Sequence, residues 1–265
     1  MDDYLRAQWR GIIQNREDNF NKSYPKIVMA KEKSVTGGSG SFLAIDSIDN
    51  QWWVKTLDNL QNPRVIVNEA IVAGVGKIIG APVCNSAIVE IPEELEGYEF
   101  RPGHFLRPGL AHASKLVEGA IEHRQLNFRD RDDNSVRHVG VFALHDWCWG
   151  NDSQWLYSSL EDQSIYSHDH GHYFPNGPAW TENSLCEAVN ITHSLNCDTS
   201  CLNVSEVERI CKILRELNRD FLIRILSEIP NSWLVTNDEL ESLGWFLEKR
   251  ASLVADRLSS LGGDK

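Results

Sequence analysis

Apolar and polar positions along residues 26–57 fall into three short runs, KIVMAKE, GSFLAID and QWWVKTL. Their length and bounding turn residues predict β-strands. Polar SIDN joins the second run to the third. SVTGGSGS joins the first to the second and is too rich in glycine and serine for either regular element. The period then changes. Val65, Ile66, Ile71, Val72, Val75, Ile78 and Ile79 recur at helical spacing, and Gly80-Ala81-Pro82 ends the helix. VCNSAIVEI predicts a further strand closed by Pro92. Residues 93–135 show no sustained period and read as irregular, with GYEFRPGHFLRPG the clearest loop. Residues 136–145 read as the end of a helix leading to Asp146. From Ser205, with Glu208 as its capping-box partner, Val207, Ile210, Leu214, Leu217, Phe221, Leu222 and Ile225 predict one long helix that Pro230 stops. Thr236 and Glu239 start another, running through Leu258. The order predicts an α+β protein: an extension over 1–25, a small β-rich lobe over 26–92 and a mostly helical lobe over 93–265, with a cleft between the lobes.

Composition narrows the function. The 265 residues suffice for a sizeable core. A net charge of −12 disfavours direct contact with nucleic acid. The charged stretch 124–137 alternates in sign and reads as a solvated loop. No run approaches the ~20 apolar residues of a membrane span, and MDDYLRAQWRG is not a secretory leader, so a cytoplasmic location is expected. The six cysteines then read as free thiols.

Several residues stand out for their chemistry. Gly37, Gly38, Ser39, Gly40 and Ser41 form a stretch whose backbone N–H groups suit phosphate oxygens. Lys55 is a cation in an apolar strand, and Glu69 on the following helix is placed to pair with it. HDWCWGN puts a carboxylate, Asp146, five positions before a carboxamide, Asn151. SHDHGHYF adds Asp169. Asp146 suits a substrate hydroxyl, as a catalytic base. Asn151 and Asp169 offer the oxygen donors that Mg²⁺ prefers. Trp147 and Trp149 are expected to pack the intervening loop, and Gly171 to let the chain turn away.

The ordered set GGSGS, VK, NE on a helix, D-x-x-x-x-N and DHG resembles the HipA-like kinases, relatives of the protein and phosphatidylinositol kinases. QWWVKTLDNLQNPRVIVNEAIVAGVGKIIGAPV is similar to that family's front lobe, and EIPNSW with a last helix containing Lys249-Arg250 is similar to its end. The likeness covers about residues 26–255. It implies a two-lobed protein kinase-like fold and transfer of a phosphoryl group from ATP with Mg²⁺. It also implies adenine bound by the backbone at Glu90-Ile91, and a hydroxyl acceptor, most often serine or threonine of a protein. Some members work with a small antitoxin-like partner; these motifs do not carry that role over. Related catalytic loops often read D-R-H-x-x-N, where this chain has Trp147 and Cys148 after Asp146. That leaves open a fold that holds nucleotide without turning it over. A second alternative is a metallohydrolase using His168, His170 and His172, which would share one face of a strand.

Overall fold

A computed structural model describes residues 2–14, 16, 23–33, 40–199 and 202–262. Short α1 (Asp2–Ala7) is followed by β1 (Ile27–Lys33), β2 (Phe42–Asp46) and β3 (Gln51–Lys55), the three strands the pattern predicts. The SIDN turn closes on Asp46, whose carboxylate accepts from Ile48 N, Asn50 N and Trp52 Nε1 at 2.8–3.0 Å. Next come α2 (Val65–Ile79), stopped by Gly80 in the left-handed conformation (φ 71°), and β4 (Ser86–Ile91).

The stretch expected to be irregular is the main correction to the predicted elements. It contains β5 (Glu99–Arg101), β6 (His104–Phe105), β7 (Gly109–Lys115) and β8 (Ala120–His123). The front sheet has the order β1-β2-β3-β7-β4, so it does not end at residue 92, and a late strand lies between β3 and β4. β7 reads GLAHASK, small side chains with little intrinsic strand preference. Antiparallel pairing on both edges holds it extended. A bridge from Lys26 to Glu90 curls the sheet round, enclosing Ile27, Phe42, Val54, Val89 and Ala113.

Behind this sheet lie α3 (Asn134–Trp147), β9 (Trp155–Ser158), β10 (Ser164–Ser167), α4 (Glu182–Ala188), α5 (Val204–Arg215), α6 (Arg219–Ser227) and α7 (Asn237–Gly262). β8, β9 and β10 form a small sheet in the order β10-β9-β8. The long helix expected from Ser205 to Pro230 is two helices. Asn203, not Ser205, caps α5 by accepting from Glu206 N, and Asn218 caps α6 by accepting from Asp220 N. The Thr236–Glu239 capping box is present at the start of α7, with reciprocal contacts at 2.8 and 3.2 Å.

The larger core buries Trp147, Trp155, Trp180, Trp233, Phe174 and Phe246. Helix α2 is shared between the lobes. A Cβ at Gly76 would stand 2.6 Å from Val83 Cγ1, so only glycine lets α2 lie this close to its neighbours. Part of the N-terminal extension straps α7. Gly11 N and Ile13 N each donate to Glu241 at 2.9 Å, and Trp9 sits where a Cβ at Gly244 would be.

Candidate active site

Three elements distant in sequence meet at the cleft. Lys55, last residue of β3, directs Nζ between Glu69 of α2 and Asp169, which follows β10. It pairs with Glu69 Oε1 and lies 2.5 Å from Asp169 Oδ1. Lys55 is 9% exposed and Glu69 2%. Burial alone would lower the lysine's pKa, but the two carboxylates outweigh it and hold it raised. Burial would likewise raise Glu69, and Lys55, with His112 and His170, instead holds it below the ordinary carboxylate range. The pair is therefore charged.

Asp169 has a left-handed backbone (φ 54°), a conformation that aims its side chain back at Lys55 and away from the strand it follows. The helical turn His170–His172 comes next, and His170 N donates to Glu69 Oε2 at 3.0 Å. Gly171 is needed there for space, not for a sharp turn. A Cβ would stand 2.5 Å from Val65 Cγ1, so only glycine lets this turn lie under the start of α2. Asn68, which the sequence reading passed over, fixes the same segment. Its amide donates to Gly171 O and Tyr173 O and its oxygen accepts from Trp180 Nε1, all at 2.9 Å. A polar residue amid the apolar face of a helix was the signal available.

The expected base is placed differently. Asp146 lies one residue before the end of α3 and is 1% exposed. Its oxygens accept from Arg250 Nη2 at 2.8 Å and from Arg257 Nε and Nη2 at 2.7 and 2.8 Å. Arg250 is fully buried and also donates to the carbonyls of Asp146, Trp147 and Ile191. Trp147 and Trp149 pack this region as expected. Trp147 Nε1 donates to Leu247 O at 2.8 Å, and Trp149 stacks on His193 with ring centres 4.3 Å apart.

Asn151 donates through its amide to His172 O and Phe174 O at 2.8 and 2.9 Å, so it ties its loop to the segment after Asp169. Two further residues of that loop carry polar side chains, and one of them reaches the cluster. Gln154 Nε2 donates to Asp169 Oδ2 at 3.0 Å, and Asp152 is exposed. A carboxylate and a carboxamide two positions apart, immediately before a strand, were the sequence signal for them.

Glu90 and Ile91 lie in β4, an edge strand paired with β7. The chain leaves the front sheet after Lys115 and crosses to β8 through residues 116–119, so the crossing is not at Glu90-Ile91. Gly40 (φ 70°) and Ser41 lead into β2, with Leu60 and Arg101 packed against Gly40. Gly37, Gly38 and Ser39 lie outside the described residues.

The three histidines do not converge. His170 Nε2 contacts Ser167 Oγ, His172 Nε2 contacts Gln61 Oε1, and His168 faces Glu122. Among the described residues no three His, Cys, Asp or Glu side chains are grouped to hold a metal, which removes the support for the hydrolase reading.

A sequence profile described as HipA-like kinase matches residues 27–254, most of the chain. The chain belongs to the HipA-like kinase family. No curated protein sequence is significantly similar to this kinase. Among solved structures it is similar to the Helicobacter pylori proinflammatory kinase CtkA, with a TM-score of 0.54 and 11% identity over 91% of this chain and 96% of that one. It is also similar to the Golgi casein kinase, with a TM-score of 0.50 and 10% identity over 100% of this chain and 78% of that one. At such identities the neighbours show the fold, a two-lobed kinase. No helix among the described residues is long and apolar enough to cross a membrane.

Proposed function

We propose that this HipA-like kinase binds ATP with Mg²⁺ between its lobes and transfers the γ-phosphoryl group to a serine or threonine hydroxyl of a protein. The observation that carries the reading is the charged Lys55–Glu69–Asp169 cluster, a lysine from the front sheet held between a helix carboxylate and one from the back lobe. Phosphoryl transfer depends on such positioned charge more than on covalent chemistry.

In this reading Lys55 neutralises and orients the phosphates, with the glycine-rich stretch through Gly40 and Ser41 covering them. Backbone groups of residues 116–119, at the crossing between lobes, hold the adenine. Asp146 holds the back lobe together through its two arginines. Asp152 is the base: its carboxylate takes the hydroxyl proton as the acceptor oxygen forms its bond to phosphorus, and the bond to the bridging oxygen of ADP breaks. Asp169 and the carboxamide oxygen of Gln154 would hold the magnesium, and Asn151 keeps their loops in register. A hard ion that draws several ligands from the substrate phosphates suits this small oxygen set, one carboxylate and one amide. When bound it would offset charge on the transferring group.

The test is ATP turnover and self-phosphorylation with Mg²⁺ by the whole chain, beside a thermal melt with MgATP. We expect transfer in the wild type, a loss of about a hundredfold or more in Asp169→Ala, and a raised melting temperature with MgATP. Equal transfer by both proteins counts against the reading. Stabilisation by MgATP without transfer identifies a nucleotide-holding fold instead.

A further inference from the structure

Ser153, next in the chain to the proposed base, lines a cavity of about 270 Å³ that the kinase reading leaves without a role. Its lining includes Arg124, Arg129, Ser153, Trp155, Asn196 and Asp198. Ser153, which lines it, is flanked in the chain by Asp152 and by Gln154, and Gln154 touches Asp169, so the cavity lies one residue along the loop from those groups. Arg124 and Arg129 belong to the stretch that follows β8, just past the crossing between lobes. Arg124 is exposed and has no ion-pair partner among the described residues. Arg129 is 3.7 Å from the carboxylate of Asp198, which lines the same cavity. Its charge reaches inward as well, adding to the burial that pushes His138 down to about 4 and keeps that ring neutral.

The charges on the lining therefore sum to one positive unit, two guanidinium groups against Asp198, in a protein whose net charge is −12. Guanidinium groups recognise carboxylates through paired N–H donors. The loose Arg129–Asp198 contact shows that a carboxylate reaches this position. Trp155, which lines the cavity, has a buried indole N–H with no hydrogen-bond partner among the described residues. Ser153 and Asn196 add neutral polar groups. The volume suits one side chain with its flanking backbone, not a folded surface.

We infer that this cavity seats an acidic side chain next to the acceptor hydroxyl, so that the kinase selects serine or threonine within acidic peptide segments. The inference rests on the proposed kinase reading and goes further by naming the acceptor's chemistry. The acceptor carboxylate would displace Asp198 from Arg129 and take Arg124 as its second partner.

The experiment uses the whole chain, MgATP and three series of serine peptides that differ only in carrying glutamate, glutamine or lysine beside the acceptor. We expect kcat/KM for the glutamate series to exceed the glutamine series by about tenfold and the lysine series by more. The Arg124→Glu/Arg129→Glu double variant should reverse the order and favour lysine. Arg124→Gln, a milder change at an exposed site, should narrow the gap through KM. Equal use of the three series, or an order unchanged by the double variant, overturns the inference. So does a wild-type protein that is stabilised by MgATP yet phosphorylates none of the peptides. Absence of stabilisation by MgATP overturns the kinase reading itself, and this inference with it.

Discussion

Two aspartates six positions apart divide the work in the loop after α3. Asp146 faces inward onto two arginines and Asp152 faces solvent. Their variants should therefore differ in kind. Asp146→Asn leaves the fully buried Arg250 without its anion and should cost about 3–5 kcal/mol of stability. Asp152→Asn should change stability by no more than about 0.5 kcal/mol and lower kcat about a hundredfold or more, as loss of a general base does. Chemical denaturation and single-turnover phosphorylation of each variant separate the two. A stable, inactive Asp146→Asn would return the base to position 146. Lys55, Glu69 and Asp169 were legible from residue type and order, because a lone lysine in an apolar strand and a carboxylate on the next helix are unusual. The choice between the aspartates was not legible, since Arg250 and Arg257 stand more than a hundred positions away.

Among the elements, the strong periods were read correctly and the boundaries were decided by local caps. α2, the three front strands and α7 follow apolar spacing closely. The helix expected over 205–229 divides because Asn218 offers a side-chain oxygen to Asp220 N and starts a new helix there. The same logic moves the start of α5 to Asn203. Asn203→Ala should cost about 1 kcal/mol, while Ser205→Ala, one residue inside the helix, should stay within about 0.5 kcal/mol. Thermal melts of the two variants check this, and a larger loss at Ser205 would place the cap there. β7 shows the opposite limit. Its alanines, serine and histidine carry no strand signal, and only two neighbouring strands explain its conformation. Because it fills the place between β3 and β4, it also moves the crossing between lobes from residue 91 to residues 116–119.

For the whole molecule, buried imidazoles set the response to acid. Burial pushes His112, His138, His145 and His170 down from 6.5 to about 4. Between those values the unfolded chain binds more protons than the folded one, so stability rises with pH across that window and is lost on acidification. Each ring contributes a slope of up to about 1.4 kcal/mol per pH unit. Glu69, held low by Lys55, adds to the loss below its ordinary range. We expect a melting temperature that is flat from about pH 6.5 to about pH 8 and falls steeply toward pH 4.5. Calorimetry should show net proton uptake on unfolding in that range. A flat profile would mean that these rings are solvated.

The sequence alone determined what depends on neighbours along the chain. Apolar period fixed the type of most elements and the division into a β-rich front and a helical back. Residue chemistry marked the lysine and the two carboxylates that meet it, and their order carried the family. The tertiary structure decided what depends on partners far away in the chain: that Asp146 is neutralised by α7, that β7 completes the sheet, and that Gln154 lies on Asp169. The physical reason is the same in each case. Charge, burial and strand pairing are properties of an environment, and for these residues that environment comes from distant segments.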